Sequence, residues 1–131
     1  MLGGRLQVMF PSVPDALPFI KGGKLRAVAI MSESRAKVLP DVPTTAEAGH
    51  PKLVGSFWAG LYTTAGTPRP VLERLNRELV KIIGSPAFAG RVEPLGFEAR
   101  PTTLEEFAAF NATEIKRWGD IIRAHGIRVE Q

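Results

Sequence analysis

Two hydrophobic periods alternate along the chain. Residues 5–10, RLQVMF, form a short apolar run rich in strand-forming side chains. VPDALPFIKGG follows as a short helix or turn closed by Gly22 and Gly23, and LRAVAIM reads as a near-continuous buried strand. This βαβ order predicts a parallel sheet with a right-handed crossover, in which ligands bind beyond the carboxyl ends of the strands. The first such end is Phe10, Pro11 and Ser12; the second is Met31, Ser32, Glu33 and Ser34.

A proline-rich connector, LPDVPTTAEAGHP, separates that unit from LVGSFWAGLYTT, whose aromatic and β-branched content suits a strand. The period then changes. In AGTPRPVLERLNRELVKIIGS, Thr67 is placed to cap a helix and Pro68 to occupy its first position, with Val71, Leu72, Leu75, Leu79, Ile82 and Ile83 on one stripe. Ser85 and Pro86 repeat the device for a shorter helix to about Val92, and GFEARP reads as an edge strand. Thr103 and Glu106 form a capping box that opens a long helix with Leu104, Phe107, Asn111, Ile115, Trp118 and Ile122 along one side, ended by Gly126.

Composition narrows the class without locating a site. The chain has 131 residues, 44% of them hydrophobic, which fits one soluble domain. No run approaches the roughly 18 apolar residues of a membrane span, and the first residues lack the segments of a secretory signal. The net charge of +4 comes from basic residues scattered singly or in small groups (Lys21, Lys24, Arg26; Lys116, Arg117), without interleaved aromatics. That distribution argues against nucleic acid as a partner. With no cysteine, disulfides, thiolate nucleophiles and Cys-based zinc sites are excluded together.

The residues offer no catalytic constellation. His50 stands in the connector and His125 at a helix end, and neither has the spacing of a metal ligand set. Glu105 and Glu106 belong to the capping box and its solvated face, and Ser12, Ser32, Ser34 and Ser56 lack a nucleophile-elbow setting. Neither a cofactor nor a metal is expected. Trp118, on the helical stripe, reads as core. Trp58, leaving the stiff connector, reads either as core or as one wall of a ligand cleft.

Five segments carry a family resemblance: GGRLQVMF, ALPFIKGGKLRAVAI, LPDVPTTAEAG, FWAGLYTTAGTPRPVLERLN and EIKRWGDIIRAHGI. They resemble successive signatures of the Bug-type periplasmic solute receptors of tripartite tricarboxylate transporters, the TctC family. The resemblance implies an α/β, Venus-flytrap fold of the periplasmic-binding-protein kind, present here in part, with a mixed sheet, flanking helices and a long C-terminal helix. Family members are about twice as long, and this chain is similar to their C-terminal part. Residues 1–38 would be a remnant of the second lobe, 39–52 a proline-rich crossover, and 53–131 the C-terminal part of the first lobe.

By the same resemblance the chain is a truncated receptor that binds small carboxylates without bond chemistry and hands them to a membrane permease. It is therefore not an enzyme. The alternative is a non-transport remnant or oligomeric interaction module with no working cleft. Ser12 and Trp58 are the ligand-binding candidates, since Pro11 cannot donate a hydrogen bond. Incomplete lobes imply a homo-oligomer, with the helix from Leu104 to Ala124 or the strand around Trp58 exchanged or paired. The family location is periplasmic; a chain made as written, without a signal, would stay cytoplasmic.

Overall fold

The computed structural model describes residues 3 and 5–128. The outer limits of the ranges 1–38 and 53–131, and Gly4 of the first family-like segment, lie outside them. Among the described residues there are four α-helices, α1 (Val13–Lys21), α2 (Arg69–Ile83), α3 (Pro86–Val92) and α4 (Leu104–Ala124), with a 3₁₀ turn at Glu93–Leu95. The chain divides into two compact units, one within Met1–Thr63 and Ser85–Ala99, the other within Thr64–Gly84 and Arg100–Gln131.

In the first unit, α1 starts where the Ser12 side chain accepts from the Asp15 N–H, and it stops at Gly22 and Gly23, the latter at φ +68°. Its inner face supplies the only buried apolar side chains among the described residues, Ala16 and Leu17. The 3₁₀ turn ends at Gly96, with φ +92°, and a Cβ there would stand 2.8 Å from Val13 Cγ1. Only glycine allows this conformation and this approach together. α3 opens on Ser85, whose hydroxyl accepts from the Phe88 N–H.

The second unit joins α2 to α4. Asn76 Nδ2 donates to the Thr102 carbonyl at 2.9 Å, and Arg69 reaches both Glu73 and Glu105. At the start of α4, Thr103 and Glu106 satisfy each other's backbone N–H, so the capping box expected from the sequence is complete. The start of α2 differs from expectation. Pro68 is the N-cap and Arg69 the first helical residue, while the Thr67 hydroxyl turns back to donate to the Thr64 carbonyl at 2.8 Å.

The expected strands are where sequence and structure part. Among the described residues the only β-pairing is one isolated parallel bridge, Ile30 with Thr44. RLQVMF, LVGSFWAGLYTT and GFEARP form no ladder. A strand is defined by its neighbour's hydrogen bonds, which local composition cannot supply. Leu6, Val8 and Phe10, spaced by two as on one face of a strand, are exposed.

The apolar stripe of α4 is likewise only half covered. Leu104, Phe107 and Asn111 are partly buried, whereas Ile115, Trp118 and Ile122 are exposed. Trp118 is therefore not core. Its indole N–H donates to Glu114 Oε2 at 3.1 Å, and the Arg117 guanidinium lies 5.3 Å from its ring centre.

Candidate functional site

The connector holds the buried polar residues of the first unit. Thr44 and Thr45 are the only buried polar residues among those described. The Thr44 N–H donates to Glu47 Oε2 at 2.7 Å and the Glu47 N–H to Thr44 Oγ1 at 3.1 Å, a reciprocal capping box. One turn follows, with the Ala48 N–H on the Thr44 carbonyl. It closes through the His50 N–H on the Thr45 carbonyl, with Gly49 at φ +90°. That pattern is the cap that ends a full helix, compressed here into six residues.

The turn is tied to the segment before it. The Ile30 N–H donates to the Pro43 carbonyl, the Thr45 N–H to the Ile30 carbonyl and the Gly55 N–H to the Met31 carbonyl. The Thr45 hydroxyl donates to the Leu53 carbonyl at 2.5 Å. Arg35 gives its Nε to the Glu47 carboxylate and its Nη1 to the Pro40 carbonyl. The Arg35 guanidinium, then the Thr44 N–H, hold the Glu47 carboxyl below the ordinary glutamate range. Thus the path of the connector is fixed by this network as much as by its prolines. The signal in the sequence was Thr-x-x-Glu at 44–47, the same spacing as at 103–106.

Ser12 lies at the N-terminus of α1. Its hydroxyl donates to Asp15 Oδ2 at 2.6 Å and accepts from the Asp15 N–H at 3.3 Å, so it is engaged in the helix cap. Trp58 is half-buried in a stretch without helix or strand. Both belong to the first unit. Neither lines the two cavities described for that unit, one of about 310 Å³ along Gly49–Leu53 and one of about 390 Å³ between α1 and the 3₁₀ turn. Ser32, at the second expected strand end, is occupied by the Ser34 carbonyl. Among the described residues no group of three His, Cys, Asp or Glu could hold a metal, and no helix is long and apolar enough to cross a membrane.

Comparison with known proteins accounts for nearly the whole chain. The family model described as the tripartite tricarboxylate transporter family receptor, TctC, matches residues 1–127. Protein BugT of Bordetella pertussis is 32% identical over 130 residues, covering 99% of this chain and 40% of that protein. A UPF0065 protein from the tcbD-tcbE intergenic region of Pseudomonas sp. strain P51 is 33% identical over 132 residues, 39% of its length. A solved structure titled "Structure of a periplasmic transporter" superposes with TM-score 0.86 at 32% identity, over 98% of this chain and 43% of that one. "R. palustris Rpa4515 with adipate" superposes with TM-score 0.84 at 25% identity, over 96% and 42%. The chain thus spans about two fifths of the length of these relatives. On the match over residues 1–127, the chain belongs to the TctC family of tripartite tricarboxylate transporter receptors.

Proposed function

We propose that this chain serves in a solute receptor that binds small carboxylates, performs no bond chemistry on them and passes them to a membrane permease. One observation carries the reading: the family match over residues 1–127 coincides with a superposition on 96% of the chain by a protein whose structure is titled with adipate, a dicarboxylate. Residues 1–38 are assigned to one lobe, 39–52 to a crossover and 53–131 to the other lobe. The capped turn at Thr44–Gly49 suits a crossover of fixed path, since its backbone groups are already bonded. The location proposed is periplasmic.

Ser12 and Trp58 are proposed ligand contacts. A bound carboxylate would have to draw the Ser12 hydroxyl proton away from Asp15 Oδ2, while the Ser12 oxygen can go on accepting from the Asp15 N–H. The test is a thermal-shift series with adipate and other di- and tricarboxylates, read beside Trp58 fluorescence in a Trp118→Phe background. At a hundredfold excess over Kd, binding to the folded state adds about 2.7 kcal/mol. A shift that Ser12→Ala or Trp58→Phe weakens supports the receptor reading. No shift with any carboxylate, and no change in Trp58 emission, overturns it.

A second reading rests on the exposed apolar faces, Leu6, Val8 and Phe10 in the first unit and Ile115, Trp118 and Ile122 in the second. Such surfaces favour self-association, as in a homo-oligomeric interaction module with no ligand cleft. Light scattering separates the two: an oligomer indifferent to every carboxylate supports the module.

A further inference from the structure

We propose that the cleft between α1 and the turn Glu93–Phe97 is a second binding site, for a small aromatic or alicyclic monocarboxylate. Its ring would lie on Leu17, Leu95 and Phe97, and its carboxylate would pair with Lys21. This site does not rest on the receptor reading. It lies wholly within the first unit, and Lys21 is nine residues along α1 from Ser12, about 13 Å at helical rise.

The cleft is an open hollow of about 390 Å³. Its lining is apolar except for Lys21. Leu95 and Phe97 are 57% and 41% exposed, so their apolar surface is available to a ligand, while Leu17 beneath is buried. Lys21 forms no ion pair among the described residues. The Glu93 carboxylate, one residue before Pro94 of the cleft wall, is taken by Lys37 at 2.9 Å. An anion with one charge and an apolar body matches this pattern. A second carboxylate would instead be desolvated against proline and leucine without a partner.

The walls are also prepared. Pro14, Pro18 and Pro94 fix backbone angles around the cleft, and the close approach at Gly96 sets the turn against the start of α1. A preformed wall reduces the ordering cost of binding. The position of Lys21 in the last turn of α1 suits the helix dipole as well, and both roles are compatible because its amine stays exposed.

The test titrates benzoate, and benzyl alcohol as its neutral counterpart, into the protein while following leucine methyl resonances by NMR. Benzoate should shift Leu17 and Leu95 and bind up to about fivefold more tightly than the alcohol, the upper end for an exposed ion pair. Lys21→Met should remove that preference; Lys24→Met should keep it. Saturating benzoate should leave the response of Trp58 emission to adipate unchanged, so the two sites are read separately. Three results would each overturn the proposal: no shift at Leu17 and Leu95 in millimolar benzoate, equal affinity for acid and alcohol, or a preference that survives Lys21→Met.

Discussion

Replacing Gly96 by alanine perturbs two things that can be costed separately. At φ +92° a side chain pays for a backbone conformation that L-residues avoid, about 1–2 kcal/mol. The new Cβ would also stand 2.8 Å from Val13 Cγ1 and 3.5 Å from Val38 Cγ2, and relieving such overpacking costs about 1–3 kcal/mol. Together these give a loss of about 2–5 kcal/mol, a large share of the 5–15 kcal/mol typical of a domain. Gly23 is the internal control. It lies in the same unit with φ +68° and no atom within 4 Å of its would-be Cβ, so Gly23→Ala carries the backbone cost alone. Urea denaturation of the two variants, followed by circular dichroism, measures the difference. Adding Val13→Ala to Gly96→Ala should recover part of the loss, because it removes the methyl that the new Cβ meets. If Gly96→Ala costs no more than Gly23→Ala, or if Val13→Ala brings no recovery, the close approach does not govern the stability of this unit.

Three further outcomes are expected. Thr45→Val deletes the hydroxyl that satisfies the Leu53 carbonyl and should lower stability by about 1 kcal/mol in the same assay, whereas an unchanged midpoint would show that water replaces it freely. Leu17→Ala removes the largest side chain of the small core and should cost about 2–3 kcal/mol, at the low end for such a change because the site borders an open cleft. Acid should destabilise the fold. The Glu106 carboxyl is held below its ordinary range, first by the Thr103 N–H and then by the Thr103 hydroxyl. A folded-state pKa below the unfolded one contributes stability that is present above the ordinary carboxylate range and is lost as pH falls through the folded value. Hydrogen-bonded by Arg69, Glu105 behaves alike, as does Asp120 beside Lys116. Thermal midpoints should therefore be flat from neutral pH to about 5 and fall below about 4, less steeply in Glu106→Gln; parallel acid curves for variant and parent would refute the assignment.

The helices were legible because their signals are local. Ser12, Ser85 and Thr103 each stand one residue before a helix and bond a backbone N–H three residues on, as their spacing from Asp15, Phe88 and Glu106 allows. Thr67 shows the limit of that reasoning: the cap residue was present, but its hydroxyl found the Thr64 carbonyl instead. The strand-like runs carried the right composition, yet pairing is a property of two segments, and among the described residues only Ile30 and Thr44 pair as β-structure. The stripe on α4 identified which side chains need cover. It carried no information on whether cover is present, and so Trp118 was misread. The Thr44–Glu47 box escaped because the segment was read as a connector between elements, where no helical turn was expected. Ser12, expected at the end of a strand, is instead the cap of α1, and its hydroxyl is claimed by Asp15 three residues on.

The ordering of the connector reverses the usual guide for cutting and tagging a chain. Proline-, glycine- and threonine-rich stretches between regular elements are where proteases nick and where labels or insertions are tolerated. Here that stretch holds the two buried threonines and bonds backward to Ile30 and Met31, while residues 57–63, rich in aromatic side chains, carry neither helix nor strand. A permuted terminus or a fluorophore near Gly49 would therefore break bonds that hold the first unit together.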